Sequence, residues 1–379
     1  MVLIDEARLD QLRLQADPEG DALAAHYLGR DPADLFHAVV ASKAGGDQLL
    51  EPKVAAWLAD RPALPPWADV ERMRHGAHFF NTWGLQLGLG LFLHSLPLAY
   101  ASHDGAQVLA LTSELETNAK RRVLETAQFV LDITRTGALE PGGQGYDSAR
   151  RVRLVHAGVR QLIATDTRIP KRVDVTGGPH WDPNWAAPIN QEHLLGAMIS
   201  WSSSLLHVLD RLHITYNESA ASDYCHLWNI AGWLLGIDPA ILPIERGDLD
   251  RLEVLIRQRN EKASAEGVAL TKALLDLVRS FIWLPPLRGL PVAGVRLFCG
   301  DETSDLLGVP NNNWTRHLMP LLKAPRRRFS FGLARVGFLR LVVRRLTRTA
   351  MRGFVRAERG HDRPPFAIPV DLGIKVPKA

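Results

Sequence analysis

The sequence predicts an all-α protein. Three observations carry that reading. Apolar residues recur at helical spacing along most of the chain, no stretch alternates convincingly as a strand, and Pro, Gly and Asn punctuate the periodic runs where helices should start and stop. The composition suits a globular fold, with 46% hydrophobic and 23% charged residues in 379. A chain of this length can bury a large core, and no internal repeat is present.

Taken in order, residues 5–60 read as short helices separated by Asp17-Pro18, Asp31-Pro32 and Gly45-Gly46. Ala63–Trp67 (ALPPW) is a linker into a helix that starts near Asp69. Gly84–Tyr100 is the most apolar stretch. It is short for a membrane span, which needs about 20 residues, and its internal histidine and proline favour a buried core helix. Residues 105–136 form a long helical run, and Gly137–Gly145 (GALEPGGQG) breaks it. The segment Ser148–Ile163 (SARRVRLVHAGVRQLI) is the next helix. Arg168–Ala187, with GGPHWDPNW, is loop material suited to lie over a site. Asn190 is placed to cap a helix whose apolar positions run from Leu194 through Met198, Trp201, Leu205 and Val208 to Leu212. Ser219–Leu235 is another helix, stopped by Gly236 and Asp238-Pro239. Arg251–Leu284 holds one or two more, and Pro325–Ala357 is a basic amphipathic helical region followed by extended PPFAIPVDL. The simplest domain account is an N-terminal helical extension (1–65), a helical core (66–322) and a basic C-terminal segment (323–379).

Several function classes are excluded. Two cysteines cannot build a disulfide framework or a four-thiolate metal site. There is no CxxCH, so any haem would be held non-covalently, and the glycine spacing around Cys299 does not suit a thiolate-ligated haem loop. HExxH, GxSxG, GxGxxG and a P-loop are all absent. The first residues lack a basic region followed by an apolar one, which predicts a cytoplasmic protein.

The segment with most chemical content is the one around His156. The apolar stripe Val152, Val155, Val159 and Ile163 has His156 set into it, and Arg160 follows one turn later. An inward imidazole beside a guanidinium is what a haem iron and a haem carboxylate require. A hydrogen-bonded core histidine explains the same pattern. Thirty residues upstream, Arg122 and Thr126 lie four apart on a face continued by Phe129 and Ile133. A guanidinium and a hydroxyl are costly on an apolar face unless they meet a polar partner. An arginine at the core's edge can also reach water along its own stem. With one Gly-rich break between them, the two helices can close on a flat ligand.

RRVLETAQFV, RRVRLVHAGVR, PINQEHLLGAMISWS and ESAASDYCHLWNIAGWLLGIDPAILP, in this order, resemble the haem-dependent oxygenases typified by latex clearing protein and the fungal MpaB oxygenase. The resemblance spans roughly residues 70–245, and more loosely the PPFAIP tail. It implies a globin-related helical core holding haem b, and oxygen chemistry on apolar, often isoprenoid-like chains. His156 matches the family's proximal iron ligand, and Arg122 and Thr126 match its distal polar pair. Latex clearing protein has a lysine just before that threonine, where this chain has Glu125. Glu125 is then either an acid/base near the oxygen-binding face or a solvated helix residue.

Other candidates read as structural first. His193 is a polar first-turn residue with iron ligation as the alternative, and His226 is a satisfied core histidine. His180 is a loop residue nearer the surface than a site. Tyr224 and Trp228 are core before pocket. The charge distribution adds a partner signal. Lys323–Arg359 carries +11 while the rest of the chain carries −7. Arg340, Arg344 and Arg348 form one stripe of that helix, and Phe331, Ala334, Phe338, Leu341 and Val342 another. Such a segment suits an anionic membrane surface, or packs on the acidic remainder, and no motif points to nucleic acid. The functional expectation is a haem b oxygenase acting with O2 on an apolar, elongated substrate, cytoplasmic or peripherally attached to a membrane. The alternative is a non-catalytic haem- or lipid-binding helical protein at a membrane surface.

Overall fold

The computed structural model describes residues 4–27, 51–112, 119–165, 169 and 179–311. The basic segment Lys323–Arg359 lies outside them, as do residues 168 and 170–178 of the expected loop. The described residues are helical, without a named strand. A bridge between extended residues joins Ser102 to Glu261.

The first helices are short, as Asp17-Pro18 dictates. Helix α1 (Glu6–Leu14) is capped by Asp5 and α2 (Pro18–Ala24) by Asp17, each carboxylate accepting from the backbone N–H three residues on. Helix α3 is Pro52–Ala59. Leu9 and Leu12 of α1 are fully buried in the main core. Each contributes roughly 1.5–3 kcal/mol by leaving water.

Asp69 caps the long α4 (Val70–Gly90) by accepting from Glu71 and Arg72. The helical path then loosens into a π-helical turn, Leu91–Ser95, before α5 (Leu96–Ala101). Pro97 gives a physical reason, because it has no N–H to offer and its ring crowds the carbonyl four residues back. That carbonyl, of Leu93, takes the Cys299 thiol at 3.6 Å. The apolar run 84–100 is thus a buried, broken helix. Among the described residues no helix is long and apolar enough to cross a membrane.

Helices α6 (His103–Leu111) and α7 (Ala119–Ile133) occupy the expected long run, and α8 (Gln144–Thr165) follows the Gly-rich break and packs on α7. Asn190 caps α9 (Gln191–Trp201), accepting from His193 N–H at 2.9 Å. The expected single helix from Asn190 to Leu212 is instead two. Ser202 leaves helical geometry (φ −113°, ψ −100°), and α10 (Ser203–Arg211) begins after it. The Ser202 hydroxyl donates back to the Met198 carbonyl at 2.7 Å, a local bond that competes with the helix ladder.

Helix α11 (Glu218–Leu234) pairs closely with α4 at the centre of the core. Gly76 permits the approach, since a Cβ there would stand 2.4 Å from the Asp223 carbonyl oxygen. The chain closes with α12 (Arg246–Asn260), α13 (Ala265–Ser280), α14 (Leu290–Cys299) and α15 (Asp301–Leu306). Helix α8 lies between two apolar clusters. One is the main core around α4 and α11, and the other gathers Val54, Leu154, Leu162, Ile163 and Trp181.

Candidate functional site

A cavity of about 400 Å³ opens where α7, α8, α9, α12 and α13 converge. That is within the usual range for small-molecule sites, about 300–1,000 Å³. Its walls are mostly apolar. Phe129 comes from α7, Val152, Val155 and Val159 from α8, Met198 and Trp201 from α9, and Leu270 and Leu274 from α13.

Three of the expected site residues meet on this cavity. His156 lies on its wall from α8, and Glu125 and Thr126 from α7. Glu125 is buried, with 4% of its surface exposed, so it is not a solvated helix residue. Thr126 and His156 are partly buried. The periodicity explains the placement, because Val152, Val155 and Val159 share the inward face of α8 with His156. Arg122 belongs to α7 one turn before Thr126, and its side chain lies outside the described residues.

Arg160 requires a correction. It lies one turn beyond His156 but does not line the cavity. Its Nε donates to Asp21 at 2.6 Å, Nη1 reaches the Ile189 carbonyl at 3.3 Å, and Nη2 is 3.8 Å from Asp17. Arg153 from the same helix doubly engages Asp17, at 2.7 and 2.6 Å. These two arginines therefore bind α2 to α8. The nearest negative charge outweighed the face on which the sequence placed Arg160.

The opposite correction applies to His193. It is a cavity residue rather than a plain first-turn one, and its Nε2 is 3.2 Å from Asp104 Oδ1. Arg13 Nη2 bonds the other oxygen of Asp104 at 2.6 Å. Burial pushes the Asp104 carboxyl up, but His193, its contact and Arg13 together outweigh it and hold the group well below its ordinary 3.8. Asn260 extends this network, accepting from Arg13 at 2.5 Å and donating to Glu192 at 2.8 Å. Arg259 donates to the same Glu192 oxygen at 2.9 Å.

A second polar cluster borders the cavity from α10 and α12. Ser204 donates to Glu253 Oε1 at 2.8 Å and stands 2.8 Å from His94 Nε2. His94 sits in the π-helical turn, where burial pushes its imidazole down to about 3. Sequence reasoning missed Asp104, Ser204, Glu253 and Arg257. Each stands in an ordinary local pattern, and only the fold brings them together.

The remaining histidines divide. His226 accepts the Asp69 N–H on Nε2 at 3.0 Å, and burial pushes it down to about 4, as suits a satisfied core histidine. His180 is buried rather than near the surface, with its ring 5.3 Å from that of Trp185. Tyr224 and Trp228 are both fully buried, and Trp228 also reaches the cavity.

Comparison with known proteins identifies this architecture. The chain is similar to the Rubber oxygenase of Streptomyces sp. (strain K30), at 26% identity over 310 residues, covering 77% of this chain and 70% of that protein. Its fold matches that of latex clearing protein LCP in the closed state, with a TM-score of 0.69 at 22% identity over 91% of each chain. Residues 73–330 match the family described as ER-bound oxygenase mpaB/B'/Rubber oxygenase, catalytic domain. That match begins within α4 and includes the cavity helices α7, α8, α9, α12 and α13, and the chain belongs to this oxygenase family.

Proposed function

We propose that the protein is a haem b-dependent oxygenase that acts with O2 on an apolar, elongated, isoprenoid-like chain. The observation that carries the reading is the meeting of His156, Glu125 and Thr126 on one apolar cavity. The donor set fits haem b: an imidazole for the iron, apolar walls for the macrocycle, and one carboxyl and one hydroxyl beside it. Among the described residues no cluster of His, Cys, Asp or Glu could hold a bare metal ion, whereas haem needs only one imidazole from the chain. When bound, the haem supplies oxygen binding and activation.

The chain's own residues would divide the remaining work. His156 holds the iron. The Val152, Val155 and Val159 side chains keep water from that face. Thr126 offers a hydroxyl to a polar atom of the reacting group, with Arg122 assigned to the same task. Glu125, buried beside Thr126, accepts or returns a proton at its carboxylate. Arg160 has no part, because its guanidinium is engaged by Asp21. The basic segment Lys323–Arg359 would bring the enzyme to an anionic lipid surface, where an apolar substrate partitions.

The purified protein is expected to show a Soret band and to yield haem b in a pyridine haemochrome assay. His156→Ala should lose both. A wild-type protein that stays colourless after haem addition refutes the reading. A second ligand assignment has its own support, since His193 backed by Asp104 is the carboxylate–histidine arrangement that orients metal ligands. His193→Ala distinguishes the two. Oxygen consumption with an isoprenoid substrate separates the enzyme from a non-catalytic haem carrier.

A further inference from the structure

Away from the cavity, the loop that joins α13 to α14 carries seven apolar residues in a row, Phe281–Leu287 (FIWLPPL). Trp283, Leu284, Pro285 and Pro286 are all exposed. Trp283 is 81% exposed, more than any other large apolar side chain among the described residues. Single exposed apolar residues are ordinary, whereas a contiguous group of them marks an interaction site. The loop is fixed in place. Leu277 and Val278, at the end of α13, pack on the main core. The Ile282 N–H donates to the Arg279 carbonyl at 3.0 Å, and the Leu287 N–H to that of Leu284 at 3.0 Å. Arg288 Nε closes the loop on the Ile282 carbonyl at 3.1 Å. Pro285 and Pro286 open the 3-10 turn Pro285–Gly289 and stiffen its backbone. The fold therefore presents Trp283 and Leu284 to the outside.

Charge narrows the partner. No acidic residue stands between Asp276 and Asp301 in the chain, while Arg279 and Arg288 flank the apolar run. Asp276 is itself engaged by Lys272 at 2.8 Å and by Arg279 at 3.1 Å. A basic rim around an apolar tip suits a surface that is anionic outside and apolar beneath. Tryptophan and arginine are the side chains that settle where hydrocarbon meets polar headgroups. The basic segment Lys323–Arg359, at +11, asks for an anionic surface too. An anionic bilayer meets both demands. A hydrocarbon polymer gives the arginines no counter-charge.

We propose that the α13–α14 loop is a membrane anchor, which inserts Trp283 and Leu284 into the interface of an anionic phospholipid bilayer while Arg279 and Arg288 meet its headgroup phosphates. Attachment by one weak signal is reversible, and an apolar signal added to a basic one makes it stable. The loop leaves α13 about two helical turns beyond Leu274, which lines the cavity. Insertion therefore holds the α13 wall of the cavity close to the phase in which an apolar substrate collects. The anchor itself needs no haem, and it rests on the oxygenase reading only for this purpose.

The test is co-sedimentation of the full chain with phosphatidylcholine vesicles, with and without phosphatidylserine. Wild type should bind the anionic vesicles more tightly, and part of that binding should survive high salt, where screening shortens to about 3 Å. Trp283→Ala should weaken binding about 10-fold, the scale of returning a large apolar side chain to water. Leu284→Asp, which sets an acid in the apolar tip, should weaken it further. Both positions are exposed, so both variants should melt with wild type. The fluorescence difference between wild type and Trp283→Phe isolates Trp283 among the ten tryptophans, and brominated lipid should quench it. Equal binding by wild type and both variants overturns the proposal, as does binding wholly abolished by salt, and either result leaves attachment to the basic segment. No binding to either vesicle also overturns it. So does a Trp283 signal already shielded from acrylamide in the free protein, because the loop is then covered by the chain itself or by a second copy. A colourless protein that binds vesicles in the expected way would refute the oxygenase reading and leave the anchor standing.

Discussion

The cavity has two kinds of wall. On the α7/α8 side the polar groups come from two neighbouring helices and lie within about thirty residues of chain, with Glu125 and Thr126 on one and His156 on the other. On the α9/α12 side the wall residues His193, Asn260, Ser204 and Glu253 are held by partners from distant segments, most of which lie behind the wall. Asp104 is tied to Arg13 across 91 residues and Asn260 to Arg13 across 247. His94, Ser204 and Glu253 meet from the π-helical turn, α10 and α12. A wall built from one hairpin can change its chemistry without disturbing the fold. A wall held by partners from six segments is also a fastening, so its polar groups carry stability as well as specificity.

Asp104 should break this comparison most strongly if it is wrong. Asp104→Ala leaves Arg13 without its carboxylate and His193 without its partner. Removing one member of a buried pair typically costs about 3–5 kcal/mol, and Arg13 keeps some contact with water, so about 3 kcal/mol is expected. Urea unfolding measures it. The sign with pH follows from the lowered carboxyl of Asp104. Its stabilisation is present above the unfolded value of 3.8 and is lost as pH falls below it towards the folded value. A loss below 1 kcal/mol would mean that this wall does not fasten the fold.

His94 gives the next largest effect. Its folded value of about 3 lies below the ordinary 6.5. The unfolded chain therefore binds the extra proton first, and stability should fall as pH drops from 6.5 towards 3. His94→Asn should flatten that part of the stability curve. A curve of unchanged slope would show that His94 is not held neutral by the core.

Glu125 tests the other wall. Glu125→Gln should retain haem and keep stability within about 1 kcal/mol, while kcat falls about 10²-fold, the scale of a lost proton-transfer group. Full activity would remove Glu125 from the mechanism.

The same contrast decides what could be read in the sequence. The helices around α7 and α8 were legible because their inward faces repeat every three to four residues, and because polar residues interrupt an apolar stripe at His156 and Thr126. The helix start near Asp69 and the cap at Asn190 were legible for similarly local reasons. The Ser202 break was not, since a serine hydroxyl returning to its own helix leaves the apolar spacing from Leu194 to Leu212 intact. Nor was Arg160, whose partner Asp21 lies 139 residues away. Asp104 and Glu253 look like surface carboxylates in their own helices, and their burial depends on partners that no local pattern names.

The smallest test removes one hydroxyl from each wall. Thr126→Val takes away a partly buried hydroxyl on the cavity and keeps nearly the same shape. Stability should hardly move, and turnover should fall about 10-fold or more, as when a positioned donor is lost from a reacting group. Ser204→Ala removes a hydroxyl that is fully buried between His94 and Glu253. It strands a donor on one side and an acceptor on the other, so stability should fall by about 1–3 kcal/mol. Measured together by thermal unfolding and oxygen consumption, the two variants should separate cleanly, one losing rate and the other losing stability. Equal stability losses in both would mean that the α7 hydroxyl is as structural as the α10 one, and the division between the walls would fail.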